Sequence, residues 1–97
     1  MWRQVLQPTQ DPATSDVFYA SQPMVIMAEG TFGSRTVTVE MRRRGSTNPW
    51  VPVNLQGALV ASDPVVALGG IPDTEYRVGV SAPGLSIFYN ETYPVQE

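Results

Sequence analysis

The clearest pattern along this chain is an alternation of apolar and polar residues with a period of two. In the segment Arg35–Arg43, Val37, Val39 and Met41 alternate with threonines and a glutamate. Residues two apart in a β-strand lie on the same face, whereas residues on one face of a helix recur every three or four positions. The pattern therefore predicts a strand with one apolar face and one polar face.

Seven further segments have strand-like alternation or composition, and no window shows the period of a helix. They are Arg3–Gln7, Gln22–Gly30, Trp50–Leu55, a stretch around Val60, Val65–Leu68, and two C-terminal stretches built on Tyr76, Val78 and Val80 and on Leu85, Ile87 and Tyr89. Turn-forming Gly, Pro, Asn and Asp separate them about every 8–12 residues. The sequence therefore predicts an all-β protein, either a sandwich or a barrel.

Two of these strands form a predicted β-hairpin. Arg35–Arg43 is followed by a segment rich in turn residues and then by Trp50–Leu55. Pro52 has no backbone N–H to donate to a neighbouring strand, so this second strand is expected at the edge of its sheet.

Residues 1–21 form a predicted extended N-terminal arm, and residues 22–97 form the predicted β-sandwich domain. Pro8 and Pro12 favour extended backbone, and the segment has no sustained period. Its spaced hydrophobic residues need a surface to cover, which is either the chain's own sandwich or a neighbouring subunit. The candidate partner contacts in the arm are therefore Trp2, Val5, Leu6, Phe18 and Tyr19.

Composition excludes several kinds of chemistry. The 97 residues correspond to one domain. The chain has no cysteine and no histidine, so the main zinc ligands, thiol nucleophiles and imidazole bases are missing. Asp73 and Glu75 flank a turn and match neither a calcium loop nor a catalytic pair. We therefore expect no enzyme activity, no catalytic residues, no metal and no cofactor.

The charge pattern argues against nucleic acid as a partner. The net charge is −3, and all six basic residues are arginines. Arg42, Arg43 and Arg44 are consecutive, but the patch is small and its strand also carries Glu40. The three arginines fit either a charged strand end that blocks edge pairing or a contact with an acidic partner surface. No apolar run approaches the length of a membrane span, so no membrane is expected.

A resemblance adds to this interpretation. The stretches "GTFGSRTVTVEMRRRGSTNPWVPV" and "LGGIPDTEYRVGVSAPG" resemble a family of small virion proteins of tailed bacteriophages in the spacing of strands and turns. The resemblance covers residues 30–85. It implies an immunoglobulin-like or jelly-roll-like antiparallel β-sandwich that serves as a capsid decoration (cement) protein, a head fibre or a similar accessory component.

The resemblance also implies partners and a location. Such proteins bind the major capsid protein or other virion proteins, commonly form trimers or dimers, and reside in the virion after synthesis in the host cytoplasm. The alternative hypothesis is a carbohydrate- or receptor-binding β-sandwich module of a tail fibre or a cell surface. In that case Trp50 and Tyr89 are expected to be exposed and to stack on sugars.

Overall fold

The computed structural model describes residues 2–53, 59 and 64–91, and these residues contain seven β-strands and no helix. The strands are β1 (Arg3–Leu6), β2 (Met24–Glu29), β3 (Val37–Arg43), β4 (Val51–Pro52), β5 (Val65–Leu68), β6 (Thr74–Val80) and β7 (Ser86–Glu91). In this part of the chain, therefore, no helix is long and apolar enough to cross a membrane.

The strands form two antiparallel sheets that pack face to face as a β-sandwich. One sheet has the order β1-β7-β2-β5, and the other has the order β4-β3-β6. Every pair of neighbouring strands among the described residues is antiparallel. The predicted all-β sandwich is confirmed, because the described strands form two separate sheets rather than one closed barrel.

The period of two places one face of each long strand in the core between the sheets. In β2 the side chains of Met24, Ile26 and Ala28 are buried, and in β3 those of Val37 and Val39 are buried. The intervening side chains of both strands are half-buried or exposed. Burial of this apolar set stabilises the fold by roughly 25 cal/mol per Å² removed from water.

The predicted hairpin is confirmed as the pair β3–β4, and β4 lies at the edge of its sheet as Pro52 indicates. The strand is shorter than the predicted Trp50–Leu55. Leu55 and the strand candidate around Val60 lie outside the described residues. The remaining predicted strands appear within one to two residues of their expected ends, the usual scatter of such boundaries.

The N-terminal segment lies on the chain's own sandwich and contributes to both sheets. Strand β1 pairs with β7 at the edge of the first sheet. The chain then crosses to the second sheet, where Ser15 donates its N–H to Val78 O at 2.8 Å. Phe18 and Tyr76 exchange two backbone hydrogen bonds of 2.9 Å. Residues 13–18 therefore cover the open edge of β6.

Candidate functional site

Strands β3 and β6 each contain a Glu-x-Arg triplet, and their antiparallel register places opposite charges across from each other. Glu40 pairs with Arg77, and Arg42 pairs with Glu75. Arg77 Nε lies 2.7 Å from Glu40 Oε1, and a guanidinium nitrogen of Arg42 lies 2.9 Å from Glu75 Oε1. Opposite charges directly across an antiparallel pair stabilise it modestly. The two triplets are visible in the sequence, but their pairing was not predicted, because it depends on the register of β3 against β6.

Trp50 packs on both arginines of this ion-pair ladder. The guanidinium carbons of Arg42 and Arg77 each lie 4.5 Å from the centroid of the Trp50 ring. Arginine over an aromatic face is an attractive cation–π contact. Trp50 is half-buried, so part of its ring remains in contact with solvent. Its place next to β3 agrees with the predicted hairpin of Arg35–Arg43 and Trp50–Leu55.

A groove borders this ladder on the outer face of the β3–β6 pair. We call it the Gly79 groove, because Gly79 lies on its floor. Its volume is about 270 Å³, and its lining residues are Thr36, Thr38, Glu40, Gly79, Val80 and Ser81. Four of the six carry a side-chain oxygen, so polar groups are present along most of the lining.

A second cavity lies at one end of the sandwich, and we call it the Tyr19 cleft. It has a volume of about 260 Å³ and is lined by Tyr19, Ala20, Ser21, Arg44, Ile71, Pro72, Asp73, Thr74 and Glu91. Tyr19 is 45% exposed and Ile71 is 48% exposed. The guanidinium of Arg44 lies 4.8 Å from the centroid of the Tyr19 ring. The cleft thus combines exposed apolar surface with a cation.

Hydrogen bonds within the chain fix the walls of the Tyr19 cleft. The N–H of Arg44 donates to Asp73 O at 2.9 Å, which joins the end of β3 to the turn before β6. The N–H of Ile71 donates to the hydroxyl of Tyr76 at 3.1 Å, and Ser21 donates its N–H to a carboxylate oxygen of Glu91 at 3.3 Å. These bonds give the cleft a defined shape.

Four of the eight predicted partner contacts lie on the surface. Tyr19 and Arg44 meet in the Tyr19 cleft, and Arg43 is exposed at the end of β3 next to it. Trp2 is 44% exposed at the start of β1. The structure therefore brings three of the predicted residues together at one end of the sandwich.

The other four predicted contacts are occupied by the chain itself. Leu6 and Phe18 are 2% and 5% exposed in the core, and Val5 packs against that core. Arg42 is held by Glu75 and Trp50. Backbone pairing of the N-terminal segment with β6 and β7 is the reason for the burial.

Tyr89 is not an exposed sugar-stacking residue, and this expectation was wrong. It is 6% exposed, and its ring stacks on Phe18 with a centroid distance of 4.5 Å. Tyr89 follows Leu85 and Ile87 on the inward face of the β7 segment, so the period of two places it in the core.

Within the described residues, no group of three or more His, Cys, Asp and Glu side chains is placed to hold a metal ion. Comparisons of this chain with protein-family models, with curated proteins and with solved structures found no match.

Proposed function

We propose that this protein is a structural component of a phage virion, a capsid decoration protein or a similar accessory protein, that binds other proteins through the Tyr19 cleft. The observation that carries the proposal is the contact between Tyr19 and Arg44 beside the exposed side chain of Ile71. Tyrosine and arginine are enriched among the residues that dominate the energy of protein interfaces.

The Tyr19 cleft has features of a protein-binding surface. Its apolar members offer area to be buried, and its walls are fixed by hydrogen bonds, so a partner meets a preformed shape. Within the described residues Arg43 makes no ion pair. A partner with a carboxylate opposite Arg43 or Arg44 gains a charge-assisted hydrogen bond.

What supports a virion role is the strand and turn pattern of residues 30–85, together with a small sandwich that lacks histidine and cysteine. The partner under this proposal is the major capsid protein or another virion protein. Self-association into a dimer or trimer fits a domain of this size, because it has no disulfide and gains stability from assembly.

The test measures the mass of the purified protein by light scattering and its co-sedimentation with phage heads built from the capsid protein of the same genome. We expect dimers, trimers or head-bound protein. Tyr19→Ser and Arg44→Glu should weaken the association about tenfold or more, since each removes an anchor residue.

Val17→Ser is the matched control, because Val17 is 42% exposed on the same segment but does not line the cleft. It should associate like the original protein. A protein that stays monomeric and does not sediment with heads contradicts the virion proposal. Equal loss of association in Val17→Ser and Tyr19→Ser contradicts the role of the Tyr19 cleft.

A further inference from the structure

Gly79 lies in a strand where the fold does not require glycine. Its backbone is flanked by Thr38 on β3 and by Thr14 of the N-terminal segment, so it is interior to the sheet. The backbone φ of Gly79 is not positive, and a Cβ built on this residue would have no heavy atom within 4 Å. Glycine weakens the interior of a strand, and it is often found where a ligand approaches the backbone closely.

The groups around Gly79 are suited to binding hydroxyl groups. Thr36, Thr38 and Ser81 bring hydroxyls, each of which both donates and accepts. Ser81 Oγ accepts the N–H of Thr36 at 3.1 Å and retains its own proton to donate. The carboxylate of Glu40 uses one oxygen for Arg77, and its second oxygen adds an acceptor.

The charges beside the groove cancel each other. Glu40 is paired with Arg77, and Arg42 is paired with Glu75, so the face carries two positive and two negative side chains that are already joined. A charged ligand would have to compete with these pairs. An uncharged ligand with many hydroxyls meets donors and acceptors without that competition.

Trp50 adds an aromatic surface beside the groove, one side chain away from its lining. Its ring packs on Arg77, and Arg77 holds Glu40, which lines the groove. The apolar C–H groups of a sugar ring pack well on an aromatic ring. The only aliphatic residue in the lining is the half-buried Val80, so the groove offers no large apolar side chain of the kind that anchors a protein partner.

We propose that the Gly79 groove binds a neutral carbohydrate chain, which lies over the bare backbone of Gly79 and contacts Thr38, Glu40 and the ring of Trp50. This activity is independent of protein binding at the Tyr19 cleft. Of the two sugar-stacking residues expected from the sequence, Trp50 and Tyr89, only Trp50 belongs to this proposed site.

The test uses Gly79→Thr, which adds a side chain to the groove and whose Cβ has no heavy atom within 4 Å in the free protein. Threonine also favours strands more than glycine does, so the variant should unfold at the same temperature as the original protein or higher. Gly69→Thr is the matched control, because a Cβ at Gly69 likewise has no atom within 4 Å, and Gly69 is outside the groove.

The probes are neutral hexasaccharides of glucose, mannose, galactose and N-acetylglucosamine, with an acidic heparin hexasaccharide for comparison. Binding is followed by amide chemical shifts of Thr36, Thr38, Gly79 and Ser81. It is also followed by Trp50 fluorescence in a Trp2→Phe background. We expect at least one neutral probe to bind with a Kd in the millimolar range or below, and Gly79→Thr to weaken it at least tenfold.

Three outcomes overturn the proposal. The first is that none of the four neutral hexasaccharides shifts these amides at millimolar concentration. The second is that Gly79→Thr, folded and stable, binds as tightly as Gly69→Thr. The third is that only the acidic hexasaccharide binds, which would indicate an anion site at the arginines.

Discussion

Arg42 lies with its guanidinium carbon 4.5 Å from the centroid of the Trp50 ring while it forms an ion pair with Glu75. The first of the three consecutive arginines therefore stabilises the hairpin of its own chain. Arg43 is exposed at the strand end, and Arg44 packs on Tyr19. Three identical neighbouring residues thus have three different surroundings, and only the last two are exposed.

Trp50→Ala should lower the free energy of unfolding by about 1–2 kcal/mol, because it removes two cation–π contacts that are each worth about 0.5–1 kcal/mol at partly exposed sites. Urea unfolding measures the change. Trp2→Ala is the control: Trp2 is 44% exposed, and its removal should change stability by less than about 0.5 kcal/mol. Equal effects of the two variants would show that the arginine contacts contribute nothing.

Tyr76→Phe should cost about 1 kcal/mol, a typical net value for a hydrogen bond. The Tyr76 hydroxyl accepts the N–H of Ile71 at 3.1 Å, and Tyr76 is only 1% exposed. The variant keeps the ring in the core and leaves the Ile71 amide without this partner. Thermal unfolding of the variant, next to Tyr19→Phe as an exposed control, provides the measurement. An unchanged Tm would mean that water replaces the hydroxyl fully.

The sequence predicted the strands well because each strand carries its own local signal. The alternation in Arg35–Arg43 defines both the strand and its inward face, and Pro52 defines an edge. The same period places Tyr89 in the core, although its aromatic ring suggested an exposed stacking residue. In that case, the pattern was a better guide than the residue type.

Contacts between distant segments were not predictable in this way. The bond from Arg42 to Glu75 joins residues 33 positions apart, and its existence depends on the register of β3 against β6. Burial of Phe18 depends on backbone hydrogen bonds from an aperiodic segment to the edge of β6. Side-chain periodicity carries no information on which edge such a segment covers. The Gly79 groove depends likewise on the residues that flank a glycine in neighbouring strands.

Gly84→Ala should destabilise the protein more than Gly45→Ala does. Both glycines have a positive φ, 135° at Gly84 and 78° at Gly45, so each substitution strains the backbone. At Gly84 the new Cβ would also lie 2.8 Å from the guanidinium of Arg35, whose Nε donates to Pro83 O at 2.7 Å. A Cβ added at Gly45 would have no heavy atom of another part of the chain within 4 Å.

The difference between the two glycine variants should be at least about 1 kcal/mol, since displacement of Arg35 breaks a hydrogen bond from a charged group. Chemical denaturation of both proteins measures it. In an Arg35→Ala background the two substitutions should become nearly equal, because the obstructing guanidinium is absent. A difference that persists in that background would assign the effect to the backbone alone.

Phe18→Ala should destabilise the sandwich by about 3–5 kcal/mol, the usual range for a buried phenylalanine. Phe18 is 5% exposed, and it stacks on Tyr89 at 4.5 Å and on Tyr76 at 6.0 Å, so its ring joins the two sheets. A loss of this size is a large part of the stability of a small domain. Val17→Ala, next to it on the exposed side, should change stability by less than about 0.5 kcal/mol. Circular dichroism during urea unfolding compares the two variants.

If the N-terminal segment were a detachable arm, Phe18→Ala and Val17→Ala would unfold at the same urea concentration, and removal of residues 1–20 would leave a folded sandwich. Because this segment supplies core side chains and covers the edge of β6, we expect its removal to unfold the protein.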